Sequence, residues 1–302
     1  MVASKEALRE AEKTRQLFKK GDDKRDEGLP LHPAGVKRID NLSYGPDKKW
    51  HLLDLYLPET YEGTLPTIIN IHGGAWVYGT KETYQFFGMS LVPHGFAFVN
   101  FNYRLPPAVE FPDELDDVHR VFHWVAEHAQ EYHLNPDKVF VIGDSAGGQM
   151  ALQYLTALTN PEFRSLFRYD VPRLTIRAAA INCCGSFIHE PEFRRGAPGA
   201  YFTEDAIKDK KELLYTEKYM TKDLPPLFLT TANEDFIRDC TVRLDGYLLA
   251  KQIFHEFHSY GDSDNPKGHV FNYDIRDTTA QICNQEIIAF FRRFMYEYPT
   301  NI

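Results

Sequence analysis

The sequence predicts an α/β architecture in which a mostly parallel central sheet is covered by helices on both faces and carries a helical cap. Three observations carry that expectation. Short apolar runs alternate with amphipathic runs of helical period along most of the 302 residues. Several of the apolar runs are continuous, as strands covered on both sides should be. One of them passes through a glycine-rich turn directly into a helical pattern.

In chain order, residues 1 to about 45 form a charged helical lead outside that alternation. Within it Lys19, Lys20, Lys24 and Arg25 are interleaved with Asp22, Asp23, Asp26 and Glu27, which reads as a solvated helix end. Strands are expected at 52–57, 67–71, 97–101, 139–142, 178–182, 227–231 and 254–260. Residues 113–130 set Leu115, Val118, Val121, Phe122 and Val125 at helical spacing, with Pro112 ahead and Asp113 and Glu114 in the first turn. A helix at 145–158 follows, stopping before Asn160 and Pro161, and the last, at 279–296, buries Cys283, Ile287, Phe290, Phe291 and Phe294. Residues 185–222 are a polar excursion rich in aromatics, among them Phe187, Phe193, Tyr201 and Phe202. The lead and this excursion are read as a mobile cap on one domain spanning 1–302, since long inserts between core elements often serve as lids.

Composition excludes several functions. With 43% hydrophobic residues there is ample apolar surface for a packed interior, so disorder is excluded. The net charge of -9 leaves no broad positive field, so neither nucleic acid nor an anionic membrane surface is expected as a partner. The start of the chain has no apolar leader, no stretch approaches spanning length, and a cytoplasmic protein is expected. Cys183, Cys184, Cys240 and Cys283 lack a CxxC spacing and read as reduced, mostly buried residues.

The chemistry begins at the strand Val139 to Ile142, which runs into Gly143-Asp144-Ser145-Ala146-Gly147-Gly148 and then into a helix. GxSxG in that position is a nucleophile elbow: it thrusts Ser145 above the sheet and leaves the Ala146 amide at a helix start, where it can face developing negative charge. Upstream, His72-Gly73-Gly74-Ala75-Trp76 follows a strand directly. Acyl transfer creates an oxyanion, and the amides of Gly73 and Gly74 can approach it because neither residue carries a side chain. His72 is read as a support of this loop.

A serine elbow calls for an acid and then a histidine on loops after later strands. Asp235 falls just past the strand 227–231, and Glu234 and Asp239 read as surface or capping acids. His269 ends the polar loop after the last strand and is the expected base. His255 and His258 lie three apart on a strand and point to opposite faces, and the other histidines show no convergent spacing, so no metal and no cofactor are expected.

Together these residues resemble the hormone-sensitive-lipase-like family of α/β-hydrolase esterases. The resemblance runs from His72 to the last helix, through the His72 to Trp76 loop, Asn102-Tyr-Arg-Leu-Pro-Pro107 with Phe111-Pro112, the Ser145 elbow, Asp235-Phe-Ile-Arg-Asp239 and His269-Val-Phe271. It implies an α/β-hydrolase fold and hydrolysis of short acyl esters, with a cap partly built from the N-terminus. Two departures stand out. Leu-Pro-Pro follows Arg104 where the family usually has Leu-Ala-Pro. Ala75 followed by Trp76 replaces the third glycine, a form also similar to bacterial acetyl-esterases and arylformamidases, so formamides remain an alternative substrate class. Trp76 and Tyr78 are expected to wall the substrate site. A non-catalytic binding relative is the third reading, and a second copy of the chain stays open as a partner beside the small-molecule ester.

Overall fold

The structure, a computed structural model, describes residues 3–296. Residues 1–2 of the expected lead and 297–302 of the expected single domain lie outside the described residues.

Helix α1 (Lys5–Asp26) is capped by the Ser4 side chain, which accepts the Ala7 amide at 3.1 Å. Strand β1 (Val36–Ser43) then enters the sheet, followed by β2 (Leu52–Pro58) and β3 (Leu65–Ile71). Helix α2 (Lys81–Leu91), β4 (Ala97–Phe101), α3 (Asp113–His128), β5 (Leu134–Asp144) and α4 (Ser145–Thr159) continue the alternation. After the short α5 (Pro161–Phe167) and β6 (Ile176–Asn182), the chain makes its excursion through small helices that include α6 (Glu204–Asp209) and α7 (Thr216–Tyr219). It returns as β7 (Leu227–Ala232), α8 (Arg238–Ala250), β8 (His255–Tyr260) and α9 (Thr278–Arg293).

The eight strands form one sheet in the order β1-β2-β4-β3-β5-β6-β7-β8. β2 runs antiparallel to β1 and β4, and every pairing from β4 to β8 is parallel. Side-chain alternation divides the interior in two. Leu55, Ile69, Val99, Val141, Ile181 and Leu229 pack with residues of α3, α4 and α8 on one face. Their neighbours Tyr56, Ile68, Phe98, Phe140, Ala180 and Phe228 pack with α2 and α9 on the other. That double cover is why the central stretches of β3 to β7 are mainly apolar. None of the helices described is long and apolar enough to cross a membrane.

One expectation is corrected. Residues 1–45 are not all helical lead: Val36 to Ser43 is an edge strand whose burial is mixed and whose polar residues face out, so it carries little apolar signal. Arg25 is not solvated either. It donates to the Thr83 carbonyl at 2.8 Å and to Asp22 and Asp26, tying the end of α1 to the start of α2.

Candidate active site

The turn from β5 into α4 leaves no room for ordinary side chains. A Cβ on Gly147 would overlap the Ile71 carbonyl oxygen, so β3 and the first turn of α4 approach each other as bare backbone. Ser145 itself sits at φ 51, left-handed for a residue with a side chain, and such strain persists only where surrounding structure over-determines it. The result puts Oγ above the carboxyl ends of the parallel strands, where open α/β sheets place their sites.

The loops after β7 and β8 supply its partners. His269 Nε2 lies 2.9 Å from Ser145 Oγ, and His269 Nδ1 lies 2.7 Å from Asp235 Oδ1. A carboxylate only accepts, so Nδ1 carries the proton and Nε2 presents its lone pair to the serine hydroxyl. Asp235 is fixed in turn by the Thr231 hydroxyl at 3.0 Å and the Ile237 amide at 3.1 Å. Burial pushes its carboxyl up, but the bonds from His269 and Ile237 outweigh this and hold it below the usual range. Glu234 and Asp239 are both exposed. The two loops are joined where the Glu234 amide donates to the Lys267 carbonyl at 2.9 Å, beside a bridge between Glu234 and Gly268.

The glycine loop departs from expectation in one respect. The Gly73 amide is turned inward, 2.9 Å from Asp144 Oδ1 and 3.0 Å from the Tyr84 hydroxyl, so it is not free to meet an oxyanion. Gly74 and Ala75 instead line the cavity at Ser145, on a turn in which Gly74, Ala75 and Trp76 all have positive φ. The available donors are therefore Gly74, Ala75 and Ala146, the last in the first turn of α4 where amides lack helical partners. Sequence reasoning missed Asp144, read only as the spacer of GxSxG. Its fully buried carboxyl, which also accepts from Tyr84 at 2.9 Å, is pushed up to about 6 by that burial.

His72 supports the loop from within. Its ring stacks on Tyr103 with centroids 4.0 Å apart, Nδ1 donates to the Gly73 carbonyl at 2.8 Å, and burial pulls its pKa down to about 4, so it stays neutral. Trp76 Nε1 donates to Gln149 at 3.0 Å and the Tyr78 hydroxyl to Asp22 at 2.8 Å, which fixes both rings. Two cavities of about 310 Å³ each meet at Ser145. One lies between α1 and the glycine loop, with Phe18, Tyr78 and His269 in its wall. The other is bounded by Trp76, Phe193, Pro198 and Ile237, so both expected wall residues face the site.

Over nearly all of its length the chain superposes on a solved structure, esterase B from Lactobacillus rhamnosis, with a TM-score of 0.87 covering 96% of this chain and 95% of that one at 22% identity. The chain has the α/β-hydrolase fold. The same esterase captured with a C4-C4 tributyrin phosphonate matches this chain at a TM-score of 0.85 and 23% identity. Residues 53–181 match the BD-FAE family model, a span that includes the glycine loop and the elbow. Versiconal hemiacetal acetate esterase of Dothistroma septosporum is 38% identical over 33% of the chain, and LipM of Mycobacterium tuberculosis, described as a probable carboxylic ester hydrolase, is 37% identical over 42%. The matched stretch takes in 30% of each of those two proteins. These esterase relatives accord with the hormone-sensitive-lipase-like resemblance carried by the motifs.

The four cysteines described are buried and free. One reading of the histidines is corrected: His119 and His123 stand four apart on α3, one turn above the other, and converge with Asp170. The sequence hides this because Asp170 arrives from a separate loop.

Proposed function

We propose that this α/β-hydrolase is a serine carboxylesterase that cleaves short-chain acyl esters through an acyl-enzyme. The observation that carries the reading is the unbroken chain from Asp235 through His269 to Ser145, with separations of 2.7 and 2.9 Å. Ser145 Oγ attacks the ester carbonyl while His269 Nε2 takes its proton, and Asp235 stabilises the imidazolium. The amides of Gly74, Ala75 and Ala146 receive the oxyanion. His269 then protonates the departing alcohol, and a water activated by the same nitrogen releases the acid and restores Ser145.

The two cavities of about 310 Å³, with the rings of Trp76 and Tyr78 held by Gln149 and Asp22, favour short acyl groups over long ones. Esterase B, the structural relative, was captured with a C4-C4 tributyrin phosphonate, whose acyl chains are short. We place the enzyme in the cytoplasm on the strength of four reduced, buried cysteines, and read α1 with 185–222 as its cap. Ser145→Ala should lower kcat on 4-nitrophenyl acetate by about 10⁵-fold or more with the fold intact by circular dichroism. A fluorophosphonate should add one mass equivalent to the wild type and none to the variant. Retention of most of the hydrolysis by Ser145→Ala would refute the assignment, and faster turnover of N-formyl aromatic amines than of acetate esters would move the substrate class to formamides.

A further inference from the structure

Away from Ser145, on the face of the sheet covered by α3 and α4, three ligand-type side chains converge. His119 Nε2 is 3.2 Å and His123 Nε2 3.4 Å from the same carboxylate oxygen, Oδ1 of Asp170, in the loop between α5 and β6. All three donor atoms lie within 4.8 Å of one another. We propose that His119, His123 and Asp170 bind a divalent transition-metal ion of the zinc type, which clips α3 to the loop before β6.

Four observations support it. Zinc bonds of roughly 2.0–2.1 Å to nitrogen and oxygen set the edges of a tetrahedron at about 3.3 Å, and both imidazole-to-carboxylate separations fall there. His119 is already oriented: Nδ1 is 2.9 Å from the Tyr154 hydroxyl on α4, and the ring stacks on Tyr169 with centroids 4.2 Å apart. A hydroxyl both donates and accepts, so this contact survives when an ion takes Nε2 and the single ring proton moves to Nδ1, which then donates to Tyr154. Tyr169 is itself anchored by its hydroxyl bond to Asp116 at 2.7 Å. His123 Nε2, by contrast, is shielded from water and makes no hydrogen bond, which leaves a lone pair or a proton without an aligned partner. Asp170, largely exposed, leaves the remaining coordination positions open to water.

Imidazole pairs with one carboxylate suit zinc, cobalt, nickel or copper better than calcium or magnesium. None of the three residues lines either cavity at Ser145, so the clip acts on stability and not on the ester chemistry. Its success or failure is independent of the esterase reading.

The test uses the full chain, free of any histidine tag and stripped with EDTA, titrated with zinc chloride by calorimetry and with cobalt chloride by visible absorption. The expected result is one ion per chain, tetrahedral cobalt d–d bands, a rise in Tm with zinc, and affinity reduced by about tenfold or more in His123→Gln and in Asp170→Asn. Asp170→Asn alters a solvent-facing side chain and so keeps the test independent of folding. Ester hydrolysis should be unchanged in both variants. No saturation by about 1 mM zinc would overturn the proposal. So would binding that both variants leave intact, since that would put the ion elsewhere, such as at Cys183, Asp235 and His269, the other convergent set among the described residues.

Discussion

At the rim of the sheet, position is set by main chain: the Gly147 contact with β3, the left-handed Ser145, the inward Gly73 amide and the seam between Glu234 and Lys267. α1 is held over the site by the ends of side chains. Arg15 reaches the carbonyls of Val77 and Pro106, Tyr78 reaches Asp22, and Arg25 reaches Thr83, around a small apolar contact of Ala7 and Ala11 with Val77, Ala197 and Ala200. Backbone packing admits almost no displacement without a clash, whereas long side chains can lose one bond and keep the others. The difference teaches that the groups at the rim are fixed by parts that cannot give, and α1 is fastened by parts that can.

Substitutions should therefore hurt more at the rim than among the contacts that hold α1. The largest effect is expected from Asp235→Asn, which keeps the shape but reverses the His269 tautomer and should lower kcat about 10⁴-fold in an ester assay. Gly147→Ala comes next: its Cβ must push β3 from α4, and we expect about 3 kcal/mol of destabilisation by urea melts, together with loss of activity. A tolerated alanine there would break the contrast.

Asp144→Asn sharpens it through pH. A carboxyl whose folded pKa is raised, here to about 6 from 3.8 by burial, contributes stability below its unfolded pKa that is lost as pH rises through the folded one. Since asparagine does not titrate, the stability of the wild type relative to this variant should fall between pH 4 and 6 by up to about 3 kcal/mol, measured by urea melts across that range. The smallest effect is expected where α1 is fastened to the loop after β3: Tyr78→Phe removes one bond to Asp22 and should shift stability by about 1 kcal/mol or less.

Much of the rim was legible because backbone crowding demands glycine, and glycine is visible: Gly143, Gly147, Gly73 and Gly74 all marked real turns. Strand β4 was legible to its last residue, since four of its five residues are apolar, as double cover requires. What stayed hidden depended on partners remote in sequence. Nothing local marks Asp144 as the acceptor that turns Gly73 inward, and for that reason the donor pair was placed one residue early. Arg25 reads as surface charge until α2 is set beside it. β1 was lost because an edge strand with a wet face has neither the apolar run nor the clean alternation on which strand recognition depends.

The seam between the loops after β7 and β8 has a bearing on how the molecule could be altered. Because Asn233, Glu234 and Lys267 lock together before the chain reaches His269, the exposed residues 262–266 form a bight outside the knot. Extra length spliced into that bight would hang from an anchor already tied, and acid and histidine would keep their spacing whatever cargo the bight carried.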